Sequence, residues 1–209
     1  MDRLTATGPA LAMIELSDLP IGYAALDALV KEAPVTVIGA GTVQQGHWLV
    51  AFAGEVHPVE LSFARALECA GATLLDAVLL ADAEPRILPA LSVGMVRPPS
   101  AQRGEIADGD ALGVVQTSSS PTLLRSVDAA LKGANVGLVE LRTAEGLGGR
   151  ALALLWGRQH DVEAAIELAA AAFARGRPEG CSTMVIPNAD REVEHALRGG
   201  SRFFKEFRG

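Results

Sequence analysis

Apolar and polar positions along the chain fall into one order, and that order occurs twice. Residues 11–16 and 112–117 alternate small and branched side chains with the period of a strand. Ser17 or Asp18, and Ser118 to Ser120, then offer helix N-cap side chains, with Pro20 and Pro121 close to the first turn. Apolar residues at Ala25, Leu26, Leu29 and Val30, and at Leu123, Leu124, Val127, Ala130 and Leu131, follow at helical spacing. A strand is expected over 35–38 and again over 136–141, then a glycine-rich loop, then a strand over 48–53 and over 151–156. Glycine at 54 and at 157 leads into a second helix, 59–71 and 162–175, and a closing strand, 74–80 and 183–186.

The two passes agree residue by residue. Ala10-Leu11-Ala12-Met13-Ile14-Glu15 is answered by Ala111-Leu112-Gly113-Val114-Val115-Gln116, and Asp27, Lys31 and Val35 by Asp128, Lys132 and Val136. Further on, Gly46, Gly54 and His57-x-Val59-Glu60 match Gly149, Gly157 and His160-x-Val162-Glu163. A duplication of this length means two similar domains in tandem. The expected fold is an α/β (α+β) sandwich, each repeat a four-stranded, mostly antiparallel sheet with helices packed on one face. The first domain is read as residues 1–97 and the second as 110–209. Residues 98–109, opening on Pro98-Pro99 and rich in glycine and charge, form the linker.

Composition narrows the function. Hydrophobic residues make up 49% of the 209, yet aromatics only 4%. The apolar share is therefore Ala, Leu and Val, which suit close-packed contacts between small domains and favour self-association. No apolar run approaches the roughly 18–20 residues of a membrane helix, and no signal-peptide pattern opens the chain. A net charge of -7 argues against nucleic acid as a partner. Cys69 and Cys181 stand far apart with no Cys/His cluster, so neither a metal site nor a cofactor is expected.

Val37-Ile38-Gly39-Ala40-Gly41 looks like the opening of a dinucleotide fingerprint, but that chemistry needs a helix N-terminus directly after the glycines. Here an apolar strand follows, and the second repeat carries Glu140-Leu141-Arg142-Thr143 at the same place. None of His47, His57, His160 and His195 has a neighbouring Ser, Cys or acid that would suggest a nucleophile and its base, so no catalytic residue is assigned. The features kept in both copies are Lys31 and Lys132, each four residues after an Asp, and the loops Gln44-Gln45-Gly46 and Leu147-Gly148-Gly149. A tight hairpin accounts for the loop glycines. Convergence of several small, neutral loops at a symmetry axis accounts for them equally.

Taken together, strand, Asp-Ala-x-x-Lys-x-Ala-x-Val, Gly-ended loop, strand and Gly-x-x-x-x-Val-Glu resemble the bacterial microcompartment shell domain, over residues 10–91 and 110–190. Two copies in this element order resemble the non-permuted tandem class, such as the tandem shell proteins of propanediol-utilising compartments. Trimers of that class mimic the hexamers of single-domain relatives. The resemblance implies a homotrimeric, pseudohexameric facet tile with a metabolite pore, placed in a microcompartment shell within the cytoplasm. Its implied partners are hexameric and pentameric shell proteins, and the encapsulated enzymes.

By the same resemblance Lys31 and Lys132 line tile edges. Gln44, Gln45 and Gly46, with Leu147, Gly148 and Gly149, line the pore, and Glu145 and Arg150 sit at its mouth. Some relatives of this class hold an iron–sulfur cluster on a pore-loop cysteine, and Gln44 stands at that place here. The edge arginine expected after each closing strand is also missing, with Asp82 and Asn188 nearby. The alternative reading is a trimeric regulatory protein that binds a small molecule.

Overall fold

The computed structural model describes residues 8–92, 110–143, 146–197 and 200–202. The expected linker, 98–109, and the expected pore-mouth residue Glu145 lie outside the described residues.

The first domain runs β1 (Ala10–Leu16), α1 (Leu19–Glu32), β2 (Thr36–Val43), β3 (His47–Gly54), α2 (Val56–Ala70), β4 (Leu74–Leu80) and a short α3 (Ile87–Ser92). The second repeats it as β5 (Asp110–Thr117), α4 (Ser120–Gly133), β6 (Gly137–Arg142), β7 (Ala151–Arg158), α5 (Gln159–Phe173), β8 (Ser182–Ile186) and α6 (Arg191–Leu197). Each domain holds one four-stranded antiparallel sheet, in the order β2-β3-β1-β4 or β6-β7-β5-β8. The closing strands β4 and β8 are thus sheet edges.

The period of two in β1 sends its residues to two different cores. Ala10, Ala12, Ile14 and Leu16 pack with Ala25, Leu29, Val59 and Ala66 of α1 and α2. Leu11 and Met13 face the other way, into a cluster that runs on through Val78 and Leu80 to Leu123, Leu124 and Val127 of the second domain. Both faces of the first strand are therefore buried, which explains why it reads as almost continuously apolar. Helices cover both faces: besides the expected pair on one side, α3 packs against the first sheet's other face and α6 against that of the second.

One local detail differs from the sequence reading. Strand β2 continues to Val43, past an irregularity in its pairing with β3 between Val37 and Gly39. The Gly39-Ala40-Gly41 run is consequently inside a strand, with a 3₁₀ turn and β3 after it and no helix N-terminus to receive a phosphate. Gly22 of α1 is required by packing, since a Cβ there would overlap the Trp48 ring. That ring lies 4.3 Å, centroid to centroid, from the ring of Tyr23, tilted 48° to it.

Candidate functional site

The two loops kept in both repeats meet each other. Gln44–Gly46 forms a 3₁₀ turn at the tip of the β2–β3 hairpin, and Gln45 adopts a left-handed φ of 67°. Across from it, Gly148 and Gly149 have φ values of 61° and 82°, where glycine carries no Cβ penalty. Gln45 Nε2 donates to the Gly148 carbonyl at 2.6 Å, and the Gly148 N–H donates to Gln44 Oε1. A Cβ on Gly149 would come within 2.6 Å of Gln45 Cδ. The six loop residues carry no formal charge, and the loop tips are exposed around Gln44, Gln45, Gly46 and Gly148. Arg150 is exposed beside them and closes the second loop through its N–H to the Leu147 carbonyl, at 3.2 Å.

The two lysines occupy the same helical position in unlike surroundings. Among the described residues Lys31 pairs only locally, with Asp27 at 2.6 Å, and its side chain is 72% exposed. Lys132 pairs with Asp128 at 2.8 Å, donates to the Asp82 carbonyl of the first domain, and is 41% exposed. Sequence alone treated the pair as equivalent; the first domain's tail makes them different. Glu84 adds its N–H to Asp128 Oδ1 at 2.8 Å. Arg86 reaches the carbonyls of Leu131 at 3.3 Å, in the last turn of α4, and of Val136 at 2.7 Å, in the segment that follows it.

Between the domains lies a junction that motif reasoning did not single out. The N-terminus of α4 sits on the β1–β4 edge, and two buried carboxylates receive it. Glu15 accepts the Ser120 N–H at 3.0 Å and pairs with His47 Nδ1 at 2.9 Å. Asp76 Oδ2 accepts the hydroxyls of Ser119 at 2.5 Å and Thr122 at 2.7 Å. Carboxylates belong at a helix N-terminus, where free N–H groups and the macrodipole favour negative charge. Arg125, one turn on, donates to the Ala77 carbonyl at 2.7 Å. Burial holds its guanidinium below the usual value, with Asp76 opposing the shift and Arg175 adding to it. The available sequence signal was the pair of acids inside otherwise apolar strands. Its meaning needs the sheet register, which sets Glu15 opposite Asp76.

His57 and His160 sit exposed at the start of the second helices, each beside an acid, Glu60 at 3.9 Å and Asp161 at 3.5 Å. Among the described residues no group of His, Cys, Asp and Glu could hold a metal ion, and no helix is long and apolar enough to cross a membrane.

This architecture has known counterparts. The BMC domain matches at residues 10–83 and again at 111–189. The chain belongs to the BMC-domain family and is a bacterial microcompartment shell protein with two such domains in tandem. It is 30% identical over 160 residues to the microcompartment shell protein PduT of Citrobacter freundii, covering 77% of this chain and 82% of that one. The carboxysome assembly protein CcmO of Synechocystis is 26% identical over 195 residues, 90% of this chain and 64% of that protein. In solved structures, a microcompartment protein from Desulfitobacterium hafniense superposes with a TM-score of 0.73 at 26% identity, covering 89% of this chain and 98% of that one. The fused permuted hexameric shell protein of the RMM microcompartment shares the fold, with a TM-score of 0.55 at 21% identity, over 78% of this chain and 81% of that one.

Proposed function

We propose that three copies of the chain close into a pseudohexameric facet tile with a central pore. One observation carries this reading. The face of α4 buried against the first domain has an exposed twin on α1. Leu124 is 0% exposed while its counterpart Tyr23 is 62% exposed, and Leu131 and Val30 differ in the same way. The receiving edge shows the same contrast: Val78 of β4 is 3% exposed, and its counterpart Met184 of β8 is 60% exposed. Each chain thus has one satisfied junction and the two halves of another. A head-to-tail contact of this kind closes a ring when its rotation divides a full turn, and six similar domains make three chains.

In that ring three copies of Gln44, Gln45 and Gly46 alternate with three of Leu147, Gly148 and Gly149 around the axis, with Arg150 at the mouth. The contact between these two loops within one chain supports the assignment. An uncharged lining of glutamine amides and backbone N–H groups suits small polar metabolites, which exchange water for hydrogen bonds in passing. Lys31 and Lys132 lie at the rim, where their long stems can pack across tile edges against other shell proteins. The role is structural and permeative rather than catalytic. Electron microscopy of the purified protein tests it: flat sheets with a hexagonal lattice are expected, and dispersed single particles at high concentration would refute the tile.

A further inference from the structure

We infer that the chain–chain junction uses the hydrogen-bond polarity of the internal junction in reverse, so that each sheet edge accepts only one of the two helices. This rests on the trimeric reading above. Within the chain, hydroxyls on the helix (Ser119, Thr122) donate to a carboxylate on the strand (Asp76). The repeat correspondence places Asp18 at Ser119, Gln116 at Glu15 and Ser182 at Asp76, since Gln116 pairs with Ser182 as Glu15 pairs with Asp76. The acid has moved from strand to helix, and the hydroxyl from helix to strand.

Asp18 already caps its own helix, accepting the Ile21 N–H at 2.9 Å. A carboxylate cannot donate, so the surface opposite must. Ser182 is exposed and free to do so, Gln116 offers an amide, and Arg150 stands at the position His47 holds in the first repeat. The occupant this surface fits is therefore the α1 N-terminus of a second copy, with Asp18 seated among Ser182, Gln116 and Arg150.

The same chemistry excludes the wrong pairing. Were α1 of another copy to displace α4 from the first sheet, Asp18 would face the carboxylates of Asp76 and Glu15, and the donor nearest them, His47, is already paired with Glu15. Like charges juxtaposed at an interface are strongly unfavourable, and a hydroxyl left without its partner adds to the cost. Two copies are thereby kept from exchanging domains, and the alternating order around the ring is fixed by chemistry as well as by covalent connection.

Sedimentation analysis of the full chain and three variants tests this. Ser182→Asp, which recreates the Asp76 carboxylate opposite Asp18, should weaken chain association roughly 30- to 100-fold. Ser182→Asn, neutral and of similar size, should leave the trimer in place. Adding Asp18→Ser to Ser182→Asp restores the hydroxyl-to-carboxylate arrangement of the internal junction and should restore the trimer; serine remains a good N-cap, so α1 stays intact. If the natural chain is trimeric and Ser182→Asp associates equally well, the polarity rule is overturned while the trimer stands. The rule falls too if Asp18→Ser gives no rescue, or if Ser182→Asn disrupts as much as Ser182→Asp. A natural chain that is monomeric overturns both.

Discussion

Glu15 accepts the backbone N–H of Ser120, 105 residues further along the chain, at 3.0 Å, from a side chain that is fully buried. A glutamate on the central strand of one domain thus seats the first turn of a helix in the next. Its other oxygen pairs with His47, the first residue after the Gln44–Gly46 turn, so that turn and the domain junction share a group.

Asp76 is the more heavily used of the two junction acids. Replacing it with Ala strands two buried hydroxyls and removes the carboxylate beside Arg125. The expected loss is about 2–4 kcal/mol of unfolding free energy, read from denaturant titration. Asp76→Asn keeps one acceptor and should lose less. Equal stability of Asp76→Ala and the natural chain would remove the junction from the list of stabilising features.

Gly22 tests packing under the exposed face of α1. Alanine is the better helix former, by about 1 kcal/mol. Here its Cβ would overlap Trp48, and overpacking of this kind costs about 1–3 kcal/mol. Gly22→Ala is expected to lower the melting temperature; a rise would show that Trp48 can move aside.

At the pore, Gln45→Asp places three negative charges near the axis of a trimer and removes the amide that donates to Gly148. Permeation of a small carboxylate through assembled shells should slow much more than that of a neutral solute of equal size. Unchanged carboxylate flux would mean that the axis does not pass Gln45.

For the rim, Lys31→Ala with Lys132→Ala should leave the trimer folded, because exposed or half-exposed ion pairs contribute only about 0–1 kcal/mol each. Sheet formation should fail, since weak edge contacts act through repetition. The two single variants should differ: only Lys132→Ala also loosens the clasp on Asp82, visible as a small drop in stability. Normal sheets from the double variant would reject the edge assignment.

Much of this molecule was legible before its structure. Short apolar runs of small and branched residues at 11–16 and 112–117, and helical spacing after Pro20 and Pro121, indicated strand and helix because each pattern is a local property of the chain. The repeat then cross-checked each element against its copy. The loops at 44–46 and 147–149 were recognisable as hairpin tips, but their contact depends on how the two domains are set against each other. Glu15 and Asp76 were visible only as acids in apolar strands, since a strand's sequence does not say what lies above its outer face. The contrast between Ser119-Ser120-Pro121-Thr122 and Asp18-Leu19-Pro20-Ile21 is present in the sequence too. It acquires meaning once α4 is seen buried where α1 is bare.

The central claim is that the internal junction repeats between chains until the ring closes at three. Mass measurement in solution at micromolar concentration is its most direct test. The expected particle is about 65 kDa, three times the 21.7 kDa chain, and Tyr23→Glu, charging the bare face of α1, should reduce it to single chains. A stable 21.7 kDa particle from the natural sequence would contradict the account.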